Sequence, residues 1–124
     1  MPATILVVDD DESIREFIEL ALTDEGYHIL LAQDGAQALD VATSNHVDLI
    51  ILDMRMPVMD GWAFLKAYGD TPTPHAPVIA ASANIRSIAG ITVDVIDFIA
   101  KPFDLDYLLA LIATRVQPPA RNGQ

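Results

Sequence analysis

Five short apolar runs constrain this chain more than any other feature of it. They are residues 5–8 (ILVV), 27–32 (YHILLA), 49–52 (LIIL), 78–81 (VIAA) and 95–100 (VIDFIA). Each is short and is followed by turn-forming, polar or charged residues, as strands are. LIIL has no polar residue within it, which suits a strand covered on both faces. The second run is weaker and is expected nearer an edge. Between the runs the apolar spacing changes to three and four. Ile14, Phe17, Ile18, Ala21 and Leu22 fall on one helical face, and Gly26 then stops the pattern as a left-handed cap. Asp34 opens a helix to about Thr43 with Ala38, Leu39 and Ala42 inward. Residues 61–68 form a third helix. Asp104 opens the last, with Leu105, Leu108, Leu109 and Ile112 inward. Strand and helix alternating through short loops imply an α/β domain, a parallel sheet covered by helices on both faces.

The 124 residues, 52% of them hydrophobic, make one domain long enough to bury a core. Eighteen acids against seven bases leave a formal charge of −11, which excludes a nucleic-acid or anionic-membrane surface as the expected partner. There is no Cys, so disulfides, thiol catalysis and Cys-based zinc sites are excluded. The start MPATILVV has no basic region and no long apolar segment, so no signal peptide is expected. No apolar run approaches the roughly 20 residues of a membrane helix, and the expected location is the cytoplasm. The end QPPARNGQ has no period. The domain is expected to reach residue 117, with 118–124 a flexible tail or the start of a linker.

In a parallel sheet of this kind, ligands sit beyond the carboxyl ends of the strands. Four of the runs end on Asp9-Asp10, on Asp53, on Ser82 and on Lys101. Three carboxylates, a hydroxyl and an ammonium are therefore expected at one sheet edge. Close carboxylates raise one another's pKa, and a hard divalent cation such as Mg²⁺ relieves that cost through oxygen ligands. One carboxylate can then act as a nucleophile towards a phosphoryl group, whose charge needs cations and donors around it. Each residue alone has a plainer reading. Asp9 to Glu12 can be the charge of a helix start, Ser82 a strand-end hydroxyl, Lys101 a surface lysine and Phe98 core. Their joint placement, each directly after or within an apolar run, favours the site.

The pieces ILVVDDDES, LIILDMRMPVMDG, PVIAASA and DFIAKPF closely resemble the receiver domain of two-component response regulators, of the single-domain chemotaxis type. The resemblance implies a flavodoxin-like, doubly wound (βα)5 fold with strand order 2-1-3-4-5. It implies Asp53 as phosphoacceptor, with Lys101 pairing with it or its phosphate. It implies Mg²⁺ held directly by Asp10 and Asp53, with Asp9 bound through water or in support, and by the backbone carbonyl of Arg55. Ser82 and the Ala83 amide would contact the phosphoryl group, and Ser82 and Phe98 would form the switch. The Lys101-Pro102 bond resembles the cis peptide found there in the family. The implied donor is a sensor histidine kinase or a histidine phosphotransfer protein; the implied recipient is a downstream protein or a fused output domain. Self-phosphorylation and autodephosphorylation would be the only chemistry, so no enzyme activity on other substrates is expected.

One segment departs from the family. NIRSIAGITVDVID stands where the fourth helix is expected, and Gly90 with the β-branched Ile91-Thr92-Val93 disfavours a long helix, so that helix is expected to be short or irregular. Arg55 and Asn84 occupy positions that tune phosphate lifetime in the family. Other readings stay open from the residues alone. A Mg²⁺-dependent aspartyl phosphohydrolase of the haloacid-dehalogenase type would use Asp9 and Asp11 as a DxD pair, but the short chain has no cap domain. A flavodoxin-like FMN binder would need a phosphate loop where DDDES stands. A phosphorylation-independent interaction module would not need the full set of residues.

Overall fold

The computed structural model describes residues 2–81, 91–101 and 104–116. Its strands are β1 (Thr4–Val8), β2 (His28–Ala32), β3 (Leu49–Asp53), β4 (Val78–Ala81) and β5 (Val95–Ile99). They form one parallel sheet in the order β2-β1-β3-β4-β5, as expected, and the weak second run is an edge strand. The helices among the described residues are α1 (Glu12–Asp24), α2 (Gly35–Ser44), α3 (Gly61–Gly69) and α4 (Leu105–Arg115).

The period-two alternation of strands divides the core into two layers. Leu6, Val8, Ile50, Leu52, Val78 and Ala80 pack with Ala38, Ala42, Phe64, Leu65 and Tyr68 of α2 and α3. Ile5, Val7, Leu49, Ile51, Ile79 and Ala81 pack with Ile18 and Leu22 of α1 and with Leu108 and Ile112 of α4. All of β3 is buried because it lies in mid-sheet with helices on both sides.

Each of the four helices begins on an aspartate. Asp11, Asp34, Asp60 and Asp104 accept hydrogen bonds from backbone N–H groups of the first turn. Such caps contribute about 1 kcal/mol each. Part of the acid excess is therefore architectural. Gly26 ends the first unit at φ 94°, the left-handed conformation expected of it.

The structure corrects several details. Phe17 points outward and is 55% exposed, because α1 buries only the narrow stripe of Ile18 and Leu22. Leu39, Leu105 and Leu109 are only partly buried at the margins of their helices' inner faces. Tyr27 precedes β2 rather than opening it, Asp53 is the last residue of β3, and β5 ends at Ile99 rather than Ala100. Residues 91–94 are not helical. The rest of the segment expected to hold an irregular helix, residues 84–90, lies outside the described residues, as do Pro102 with its peptide bond and the tail 118–124.

Candidate functional site

Strand register brings the site together. Val8 pairs with Leu52, Asp53 with Ala81, and Ala81 with Ile99. One step past Val8, Asp9 falls level with Asp53. Alternation carries Asp9, Asp53 and Lys101 to the α1/α4 face, continuing the parity of Val7, Ile51 and Ile99. There they line a cleft of about 280 Å³ with Asp10, Asp11, Ile14 and Arg55. A larger hollow of about 620 Å³ lies beside Thr4, at the amino ends of the strands. Its one acid, Asp48, is occupied by the Thr4 N–H and by His46, each at 2.8 Å, so no comparable cluster forms there.

Asp9 and Asp53 are buried, at 3% and 4% exposure, while Asp10 is exposed. Lys101 bridges the two buried acids, with Nζ 2.9 Å from Asp9 Oδ2 and 3.3 Å from Asp53 Oδ2. Its nearer partner is thus Asp9, not Asp53. The remaining carboxylate oxygens accept from the backbone: Asp9 Oδ1 from the Asp11 N–H at 2.9 Å, and Asp53 Oδ1 from the Arg55 N–H at 3.1 Å. Arg15 donates to the Asp9 carbonyl at 2.8 Å and ties α1 to the end of β1. The loop after β3 is held by the Met54 N–H donating to the Ala81 carbonyl at 3.0 Å and by the Gly61 N–H donating to the Met54 carbonyl at 3.2 Å. Within that loop Val58 has φ 71°, a left-handed conformation that a β-branched residue adopts only under strain.

Burial pushes the Asp53 carboxyl up from its ordinary 3.8 to about 6. The Arg55 N–H opposes that rise, the Asp9 charge adds to it, and Lys101 opposes it again. For Lys101, burial works against its charge, but the hydrogen bond and charge of Asp9, and then of Asp53, leave its pKa above the usual value. Asp9, Asp10 and Asp53 each place one carboxylate oxygen within 4.8 Å of the others. Three acids facing one ammonium leave an excess of negative charge. An all-oxygen donor set of that charge fits a hard divalent cation.

Ser82 and Ala83 lie outside the described residues. Asp11 is not a free second acid. Its carboxylate accepts from the Ser13 and Ile14 N–H groups as the cap of α1, at 2.9 and 3.3 Å. Phe98 is not in the cleft. It lies on the α2/α3 side, partly buried, with its ring 6.3 Å from that of Trp62 and inclined by 29°. Sequence reasoning missed this pair, since Trp62 and Phe98 belong to different periodic patterns. Among the described residues, no helix is long and apolar enough to cross a membrane.

A family model described as the response regulator receiver domain matches residues 5–113. The response regulator MprA of Mycobacterium sp. (strain KMS) is 40% identical over 113 residues, which are 89% of this chain and 49% of that protein. The response regulator ArlR of Staphylococcus aureus is 38% identical over 109 residues, 87% of this chain and 50% of that protein. The chain therefore spans about half the length of the curated relatives it matches. Among solved structures, the Vibrio cholerae chemotaxis protein CheY4 is 29% identical with a TM-score of 0.79, covering 94% of this chain and 100% of that one. The receiver domain of the sensor histidine kinase PA1611 from Pseudomonas aeruginosa is 28% identical with a TM-score of 0.80, covering 93% of this chain and 98% of that one. Its crystal structure has a magnesium ion coordinated in the active site cleft. With strand order, cleft and family match in agreement, this chain belongs to the response regulator receiver domains of two-component signal transduction.

Proposed function

We propose that Asp53 is the phosphoacceptor of this receiver and that its modification switches a protein-interaction surface. The observation that carries this is a buried carboxylate at the end of the central strand, flanked by Asp9, Asp10 and Lys101 in one open cleft. The donor is a phosphohistidine on a sensor histidine kinase or a histidine phosphotransfer protein. An Asp53 oxygen forms the O–P bond as the donor's N–P bond breaks, and the electron pair returns to the imidazole. With its pKa at about 6, Asp53 is mostly ionised at neutral pH yet more basic than an ordinary carboxylate. Lys101 is placed to shift from the two carboxylates to the phosphoryl oxygens. Asp9, Asp10, Asp53 and the Arg55 carbonyl would hold Mg²⁺. When bound, that ion offsets the charge of the acids and of the transferring phosphoryl group. Ser82 and the Ala83 amide would contact the phosphoryl group, and Phe98 would rotate inward to complete the switch.

The chemistry is confined to the chain's own phosphorylation and autodephosphorylation. Nucleic acid and membrane are not partners of this acidic domain. The output is a downstream protein or a fused domain, and the site of action is the cytoplasm. Incubation with Mg²⁺ and a small phosphodonor should give one hydroxylamine-labile phosphate per chain. Asp53→Asn should abolish it. Full labelling of that variant would show that the acceptor lies elsewhere.

A further inference from the structure

The ring pair of Trp62 and Phe98 is built on two supports that both lead back to Asp53. Trp62 follows Gly61, and Gly61 is locked against the residue after Asp53. A Cβ at position 61 would lie 2.6 Å from Met54 Sδ, 2.7 Å from Met54 Cα and 3.0 Å from the Asp53 carbonyl. No side chain fits there without a shift, so the start of α3 packs directly on the end of β3. On the other side, Phe98 is paired with Ala80 in the ladder, and the next residue of β4, Ala81, is paired with Asp53 itself. The Phe98 N–H is held by the Asp97 carboxylate at 2.8 Å, and the other oxygen of Asp97 accepts from Tyr107 Oη of α4 at 2.7 Å. The backbone of Phe98 is therefore anchored, and its ring is the part left to move. That ring stacks on Trp62 in the same conformer in which Lys101 is engaged with Asp9 and Asp53.

We infer that Trp62 is a positioning residue for the switch, holding the Phe98 ring by stacking in the place it has while Lys101 engages Asp9 and Asp53, and so opposing its rotation away from Trp62. This rests on the assignment of Phe98 as the switch aromatic in the proposed function. Rotating the ring away from Trp62 breaks the stack. The conformer with the stack is then favoured over the rotated one by the strength of one aromatic pair. Such a pair corresponds to about a two- to tenfold bias in a two-state equilibrium. Any ligand that stabilises the rotated conformer meets that bias as weakened apparent affinity.

The test is a double-mutant cycle on binding of beryllofluoride with Mg²⁺, read by calorimetry so that loss of the Trp does not remove the signal. Trp62→Leu should tighten binding about two- to tenfold in the wild-type background and leave it unchanged in the Phe98→Leu background. Trp62→Phe keeps a ring at the position and should bind as the wild type does; should Trp62→Leu fail to fold, Trp62→Met takes its place in both backgrounds with the same expected outcome. Equal effects of Trp62→Leu in both backgrounds, no effect in either, or a Trp62→Phe chain differing from wild type by more than the Leu variant would overturn the inference. If wild type binds beryllofluoride and Asp53→Asn does not, such a result removes the role of Trp62 alone. If wild type does not bind it, the phosphoacceptor reading falls and takes the role of Trp62 with it.

Discussion

Replacing Asp53 by Asn should make the metal-free protein more stable at neutral pH, by an amount set by the pH. In the folded chain the Asp53 carboxyl titrates at about 6 instead of 3.8, chiefly because it is buried. Below the unfolded value the group is protonated in both states and has no effect. As pH rises between the two values, the unfolded chain loses the proton while the folded chain keeps it, so stability falls. Above the folded value the loss is complete. At about 1.36 kcal/mol per pH unit, the displacement from 3.8 to about 6 amounts to about 3 kcal/mol. The assay is urea unfolding in EDTA of wild type and Asp53→Asn between about pH 4 and pH 7. Contributions from acids remote from Asp53 are common to both proteins and cancel in the difference. Relative to wild type, the variant should gain about 3 kcal/mol over that range, or roughly 1.5 M in midpoint at an m-value near 2 kcal/mol per M. A difference that stays constant with pH, or that moves the other way, would refute the claim that the folded site penalises an ionised Asp53. Saturating Mg²⁺ should close most of that gap, because it binds the ionised carboxylate of the wild type. At a hundredfold excess over its Kd a ligand adds about 2.7 kcal/mol.

Two further perturbations follow from the same geometry. Lys101→Met removes the cation between two buried acids and should cost about 3 kcal/mol in EDTA at neutral pH, with part of the loss recovered on adding Mg²⁺; equal thermal stability of variant and wild type would show that the bridge contributes nothing. Val58→Gly relieves the left-handed backbone at φ 71° and should raise the unfolding free energy by about 0.5–1 kcal/mol, the cost of that conformation for a residue with a Cβ less the added chain entropy of glycine; a lower melting temperature would contradict the strain.

How far the sequence could be read depends on the range of each interaction. Residues 49–52 announce a buried strand, and Asp34 and Asp104 announce helix starts, because those signals are written within a few neighbouring positions. The narrow burial stripe of α1 was not legible. Periodicity placed Phe17 on the inner face, but the covering of a helix flank depends on what lies beside it, and Phe17 stays 55% exposed. Asp11 was ambiguous for a related reason. The same acid suits a helix cap or a catalytic pair, and only the positions of the Ser13 and Ile14 N–H groups decide for the cap.

By itself, the sequence determined the α/β class, the strand ends and the acids placed at them, since the alternation of strand and helix is written in local pattern; the strand order came from the resemblance to a family. The tertiary structure alone decided which of those groups touch. Lys101 is 92 residues from Asp9 in the chain and settles nearer to it than to Asp53. Trp62 and Phe98 meet on the α2/α3 side of the sheet from elements with no shared period. Side-chain contacts of that kind depend on register, on reach and on the ångström-scale placement of neighbouring elements. Those quantities exist only once the chain is folded.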